Sequence, residues 1–137
     1  MDLRTSRRLI ERLNRDGEQI ARYFGLQYKA IVAERANVTS RYGVCFDDGT
    51  IKIRLRHAVT GKPLKYSSLV NTLCHELAHL RHFHHGETFK VFYQQILSYA
   101  RAQRLYQPRP SGPRPGSRPT ARPEAPNPQV PVQLTLF

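Results

Sequence analysis

The sequence predicts a small α+β domain followed by a disordered tail, and three observations carry that prediction. Apolar residues recur at helical spacing in three segments, running from Leu3 to Phe24, Val70 to Leu80 and Phe89 to Ile96. Between the first and second lies a β-rich stretch broken by Asp47-Asp48-Gly49, a strong hairpin signal. Of the ten prolines, nine fall between Pro108 and Pro131, where Pro, Gly and Ser leave too little apolar surface for a core. The folding unit is therefore expected at residues 1–106, about the modal size of a domain.

Each element has its own justification. Leu3, Ile10, Leu13, Ile20 and Phe24 form the apolar stripe of the first helix, while Arg4, Arg8, Arg12, Arg15 and Arg22 cluster opposite. Gly17 costs that helix roughly 1 kcal/mol relative to Ala and marks a place where it can break. Tyr28, Ala30 and Val32 alternate with polar positions and suggest a strand over about 26–33. The hairpin follows, with Ile51, Ile53 and Leu55 facing inward and Lys52, Arg54 and Arg56 outward, in a small antiparallel sheet. Gly61-Lys62-Pro63 reads as a loop. Ser67 or Ser68 can cap the next helix, whose stripe is Val70, Leu73, Leu77 and Leu80 and which should end near His84-His85-Gly86. A C-terminal helix presents Phe89, Phe92, Tyr93 and Ile96 and stops by Gln107-Pro108.

Composition narrows the function. No apolar run approaches the ~18 residues of a membrane span, and the first residues lack the apolar core of a secretory signal. Two cysteines, Cys45 and Cys74, make no disulfide framework and fit a cytoplasmic protein with buried thiols. There are 22 Lys+Arg against 10 Asp+Glu, a net charge of +12, of which the tail contributes +3 and the domain keeps +9. Such an excess favours polyanions, nucleic acid first. The arginines of the first helix are the candidate phosphate contacts, in particular Arg4, Arg8, Arg12 and Arg15.

Five of the six histidines lie between residues 75 and 85. They include His75-Glu76-Leu77-Ala78-His79, an H-E-x-x-H inside a predicted helix. Histidines four apart share a helix face about 6 Å from one another, so both imidazoles can reach one ion. Glu76, about 100° round, is placed to take a proton from water activated at that ion. A catalytic zinc site needs a third protein ligand and one open position. His82, His84, His85 and a later carboxylate are the candidates. His82 would continue the same straight helix, and three ligands strung along one helix surround an ion poorly. Glu87, the only carboxylate between His85 and the tail, is too near for the plan in which a later helix supplies a glutamate. His85, six residues past His79 and followed by Gly86, is the choice, which leaves His82 and His84 as supporting or surface groups. Cys74, beside the first histidine but near the apolar face, reads as a buried structural thiol rather than a ligand.

The block His75-Glu76-Leu77-Ala78-His79-Leu80, His85-Gly86 and Phe89 resembles the metal block of SprT-like and YgjP-like zinc metallopeptidases. Upstream, Arg41-Tyr42-Gly43-Val44-Cys45, Gly49-Thr50-Ile51 and Leu69-Val70 are similar to the frame of the YgjP-like branch, with Tyr42, Val44 and Arg54 departing from it. The resemblance covers roughly residues 25–100. It implies a minimal zincin fold, one zinc per chain on His75, His79 and His85, and Glu76 as general base. Tyr66, Tyr93 and His57 are the candidates for stabilising the oxyanion, and an edge strand of the hairpin could hold substrate backbone by strand addition.

The chain finishes on Gln133-Leu134-Thr135-Leu136-Phe137, after a long stretch without a large apolar side chain. This pentapeptide resembles the Q-L-x-L-F motif by which bacterial replication and repair proteins dock on the sliding clamp. Carried over by position, Leu134, Leu136 and Phe137 fill the clamp's apolar pocket and Gln133 bonds its rim. The Pro/Arg-rich linker 107–132 would reach up to ~80 Å if fully polyproline-like. Together these features lead to one expectation. It is a monomeric cytoplasmic, nucleoid-associated zinc metallopeptidase with a protein substrate, DNA and the sliding clamp as partners and no membrane. The alternative is a non-hydrolytic zinc-containing adaptor between clamp and nucleic acid.

Overall fold

The computed structural model describes residues 1–108, which form three helices and a three-stranded sheet. In chain order these are α1 (Leu3–Phe24), β1 (Ala30–Ala33), β2 (Gly43–Cys45), β3 (Thr50–Ile53), α2 (Tyr66–His79) and α3 (Glu87–Ala102). The linker and the Gln133–Phe137 motif lie outside the described residues.

Helix α1 starts where Asp2 accepts a bond from Thr5 N at 2.8 Å and ends at Gly25, which takes the left-handed cap conformation. Ile10, Leu13, Ile20 and Phe24 face the core as expected, but Leu3, in the first turn, is exposed. The helix runs unbroken through Gly17. A methyl group there would stand 2.7 Å from Ile31 Cδ1 and 3.4 Å from Leu73 Cδ2. The missing side chain is what lets α1 sit close to β1 and α2, a tertiary gain that outweighs the local propensity cost.

The sheet has the order β1-β3-β2 and is mixed. β2 and β3 make the expected antiparallel hairpin, closed where Phe46 N donates to Thr50 O at 2.8 Å and Gly49 N to Phe46 O at 3.0 Å. β1 pairs with β3 in parallel, so the purely antiparallel sheet expected from the sequence is corrected. The physical reason is that β1 enters beside β3 from α1, held by Asn14 Nδ2 donating to Ile31 O at 3.0 Å, and no local turn could announce that pairing. β1 also shows the other face to the core. Ile31 is 2% exposed and Val32 36%, the reverse of the Tyr28–Ala30–Val32 reading.

On β3, Ile51 and Ile53 are fully buried against the helices, but Arg54 is buried too, not outward. Its guanidinium lies 4.4 Å from the Tyr42 ring centre and donates to Thr39 O at 2.9 Å and Arg41 O at 3.4 Å, while Nε donates to Arg56 O at 3.1 Å. The carbonyls of the segment leading into β2 need donors, and Arg54 supplies them. Leu69, Val70, Leu73, Leu77, Ile96 and Leu13 fill the space between sheet and helices.

Helix α2 is capped by Lys65 without a side-chain bond, so neither serine serves as cap; Ser68 and Leu69 instead donate to Lys65 O. It ends at His79, five to seven residues earlier than the spacing suggested. That early stop frees the segment 80–86 to turn back before Gly86 starts α3.

Candidate active site

Helix α2 is buried nearly all round, so its polar residues lie in a wall rather than on a surface. His79 is fully buried, and Glu76 and His75 are 2% and 8% exposed. The turn after α2 brings His85 back onto this wall. One ring nitrogen from each of His75, His79 and His85 lies within 4.8 Å of the others, and His79 Nε2 stands 3.0 Å from His85 Nε2. Phe89, in the first turn of α3, backs the cluster, stacked on His79 at 4.5 Å and edge-on to His75 at 5.0 Å and His85 at 4.9 Å.

Hydrogen bonds fix two of the imidazoles through their other nitrogen. His79 Nδ1 donates to His82 O at 3.0 Å, and His75 Nδ1 lies 3.1 Å from Glu76 Oε2. A backbone carbonyl on Nδ1 selects the tautomer that leaves Nε2 a lone pair. His82 supports the cluster through its carbonyl, while its ring packs on Phe92. His84 is exposed and outside the cluster. Burial pushes His75 and His79 down to about 3 and lowers His85, so all three are neutral at pH 7. Three neutral imidazoles converging within ligand distance, two of them oriented from behind by hydrogen bonds, suit a borderline-soft divalent ion such as zinc.

Glu76 lies on the β2 side of the cluster. Burial pushes its carboxyl up to about 8, against the pull of the nearby Arg41 guanidinium, which is itself bound to Glu34 at 2.9 Å. Its Oε1 is buried and has no hydrogen-bond partner among the described residues. An orphaned carboxyl oxygen in such a place is costly unless water or substrate completes it. Strand β2 presses on this residue through Gly43, where a methyl group would stand 2.7 Å from Thr72 Cγ2 and 3.2 Å from both Glu76 Cγ and Oε2. Gly43→Val should therefore displace Glu76. We expect metal content to hold within a factor of about two while activity falls at least tenfold, read by metal analysis beside a digestion assay.

Of the three residues expected near the oxyanion, Tyr93 alone packs against a cluster histidine, its ring 5.2 Å from that of His75. Tyr66 is spent elsewhere, donating to Asp16 at 2.7 Å beneath Arg12, and His57 Nδ1 accepts from Val59 N at 3.2 Å in an exposed loop. Arg4, Arg8, Arg12 and Arg15 are exposed along α1, with the Arg12 guanidinium 3.7 Å from the Tyr66 ring centre. Cys45 and Cys74 are buried, unbridged thiols, and Cys74 is fully enclosed.

A family model describing the WLM domain matches residues 39–121, more than half of the chain. The chain belongs to the WLM family. The WLM match spans the metal block that carries the SprT-like and YgjP-like resemblance. The WLM domain here shares its fold with Wss1 proteins of two yeasts. A Wss1 mutant from Saccharomyces cerevisiae superposes with a TM-score of 0.67 at 17% identity, covering 75% of this chain and 86% of that one. Wss1 from S. pombe superposes with a TM-score of 0.58 at 26% identity, covering 68% and 78%. No curated protein sequence matches this WLM chain. The fold is thus the minimal zincin arrangement expected, with a mixed sheet.

Proposed function

We propose that this WLM protein is a zinc-dependent peptidase that cleaves proteins bound or crosslinked to DNA. The family match and the Wss1 fold indicate a metalloprotease. The observation that carries the reading is the buried, unpartnered Glu76 Oε1 beside three converging histidines, because a purely structural metal site has no use for that carboxylate.

In this reading His75, His79 and His85 hold one zinc. When bound, zinc supplies Lewis acidity that polarises the scissile carbonyl and acidifies water. Glu76 accepts the proton of the attacking water and passes it to the leaving amine. The hydrogen-bonding alternation of the hairpin turns the N–H and C=O of Gly43 and Cys45 away from β3, which suits the backbone of an extended substrate beside Glu76. Main-chain recognition of this kind leaves cleavage with little dependence on side chains. The α1 arginines bind phosphates and keep the enzyme on the nucleoid within the cytoplasm. Gln133, Leu134, Leu136 and Phe137 dock on the sliding clamp, raising local concentration without tight substrate binding.

The test is digestion of a DNA-binding protein by the zinc-loaded chain with and without DNA. Cleavage should occur, and DNA should accelerate it in a way that fades as salt rises from roughly 50 to 200 mM. Reversing Arg4 and Arg8 should remove the acceleration for all DNA sequences alike. An inert wild type under every condition would favour the adaptor.

The clamp contact is tested separately. Burying two leucines and a phenylalanine contributes roughly 1.5–3 kcal/mol per side chain, offset by about 1–2 kcal/mol for each tail residue ordered. A synthetic peptide ending in Gln133–Phe137 should bind a bacterial clamp in the micromolar range, and its Leu136→Ala, Phe137→Ala form should not. Destabilisation of the domain by removing the same residues would place the tail on its own fold instead.

A further inference from the structure

Helix α2 carries a third polar residue in line with its two histidines. Asn71, His75 and His79 recur every four residues and so share one face. Viewed down the helix, the histidines lie between Glu76 on the β2 side and Asn71 on the α3 side, with Asn71 about 40° from His75 and about 6 Å before it. Asn71 is only partly buried. Its carboxamide is nevertheless held, because Tyr93 of α3 donates its hydroxyl to Asn71 Oδ1. Tyr93 cannot swing freely, since its ring is packed edge-on against His75 at 5.2 Å and against Phe89 at 5.9 Å. With Oδ1 occupied, Nδ2 is turned the other way and makes no hydrogen bond to another described residue.

An amide held through its oxygen by Tyr93, on the helix face that carries His75 and His79, leaves its donor for one obvious complement. We infer that Asn71 Nδ2 binds a main-chain carbonyl of the peptide substrate, and that Tyr93 acts as a positioning residue by holding the carboxamide through Oδ1. The inference rests on the peptidase reading. It adds a second anchor to the β2 edge, so that substrate is held on both flanks of the histidine face. The Tyr93 hydroxyl thereby acts through Asn71, not on the oxyanion directly.

The test uses the zinc-loaded full chain and a peptide substrate, with kcat and KM measured separately. Asn71→Asp keeps an oxygen for Tyr93 and replaces the donor by a charged acceptor; Asn71→Ala removes both groups without adding charge. Each should raise KM about tenfold, the worth of one buried hydrogen bond, with zinc content and melting temperature close to wild type. Tyr93→Phe should raise KM less, about threefold, and the double variant Asn71→Ala, Tyr93→Phe should be no worse than Asn71→Ala alone. Unchanged KM in Asn71→Asp overturns the inference, as do loss of zinc in either Asn71 variant and additive effects in the double variant. A wild type that cleaves nothing overturns the peptidase reading and this inference with it; normal cleavage by Asn71→Asp overturns the inference alone.

Discussion

Glu76→Gln will retain one zinc per chain and the wild-type melting temperature, while its peptide hydrolysis falls by about 10²–10⁴-fold, the usual worth of a positioned general base. The substitution keeps size and shape in a position that is 2% exposed, so no cavity opens in the wall of α2. It also removes the basic oxygen that has no partner among the described residues. Binding and chemistry therefore separate in one variant. Hydrolysis equal to wild type would mean a contaminating protease or another base, and the role assigned to Glu76 would be abandoned.

The second large effect is on the metal. His79→Ala and His75→Ala should each reduce zinc from about one per chain to none, and His85→Ala should weaken binding severely, as measured by metal analysis after gel filtration. His79 carries the most, because it is fully buried, bonded to His82 O and stacked on Phe89. A metal that binds only the folded state stabilises it by about 4 kcal/mol at a thousandfold excess over Kd. Chelation should accordingly lower the melting temperature of wild type and leave that of His79→Ala unchanged. His82→Ala and His84→Ala should hold zinc normally. Zinc retained by His85→Ala and lost by His82→Ala would move the third ligand to His82.

How far the sequence carried these conclusions differs from element to element. The α1 stripe, the Asp-Gly hairpin and the α2 stripe were legible because each is set by local periodicity or turn chemistry. The parallel pairing of β1 was not, since four residues joined to β3 only through space leave no turn to read. The face of β1 was misread for a related reason. Tyr28, Ala30 and Val32 alternate as plausibly as Lys29, Ile31 and Ala33, and only the packing of Ile31 against Gly17 decides between them. Arg54 looked outward by parity and is buried, because the carbonyls of Thr39 and Arg41 required a donor from outside their own segment.

The same division runs through the site. Residue types and spacing alone determined that His75, His79 and Glu76 share one region of one helix, because α-helical geometry is local and fixed. They also determined the charge of +12 and the placing of nine prolines in the tail. Only the tertiary structure decided that α2 stops at His79, that His85 returns to within 3.0 Å of it, and that Phe89, Gly43 and Tyr93 close around the cluster from two other elements. Those contacts join residues far apart along the chain, and their energy comes from burial and from hydrogen bonds that no local pattern encodes.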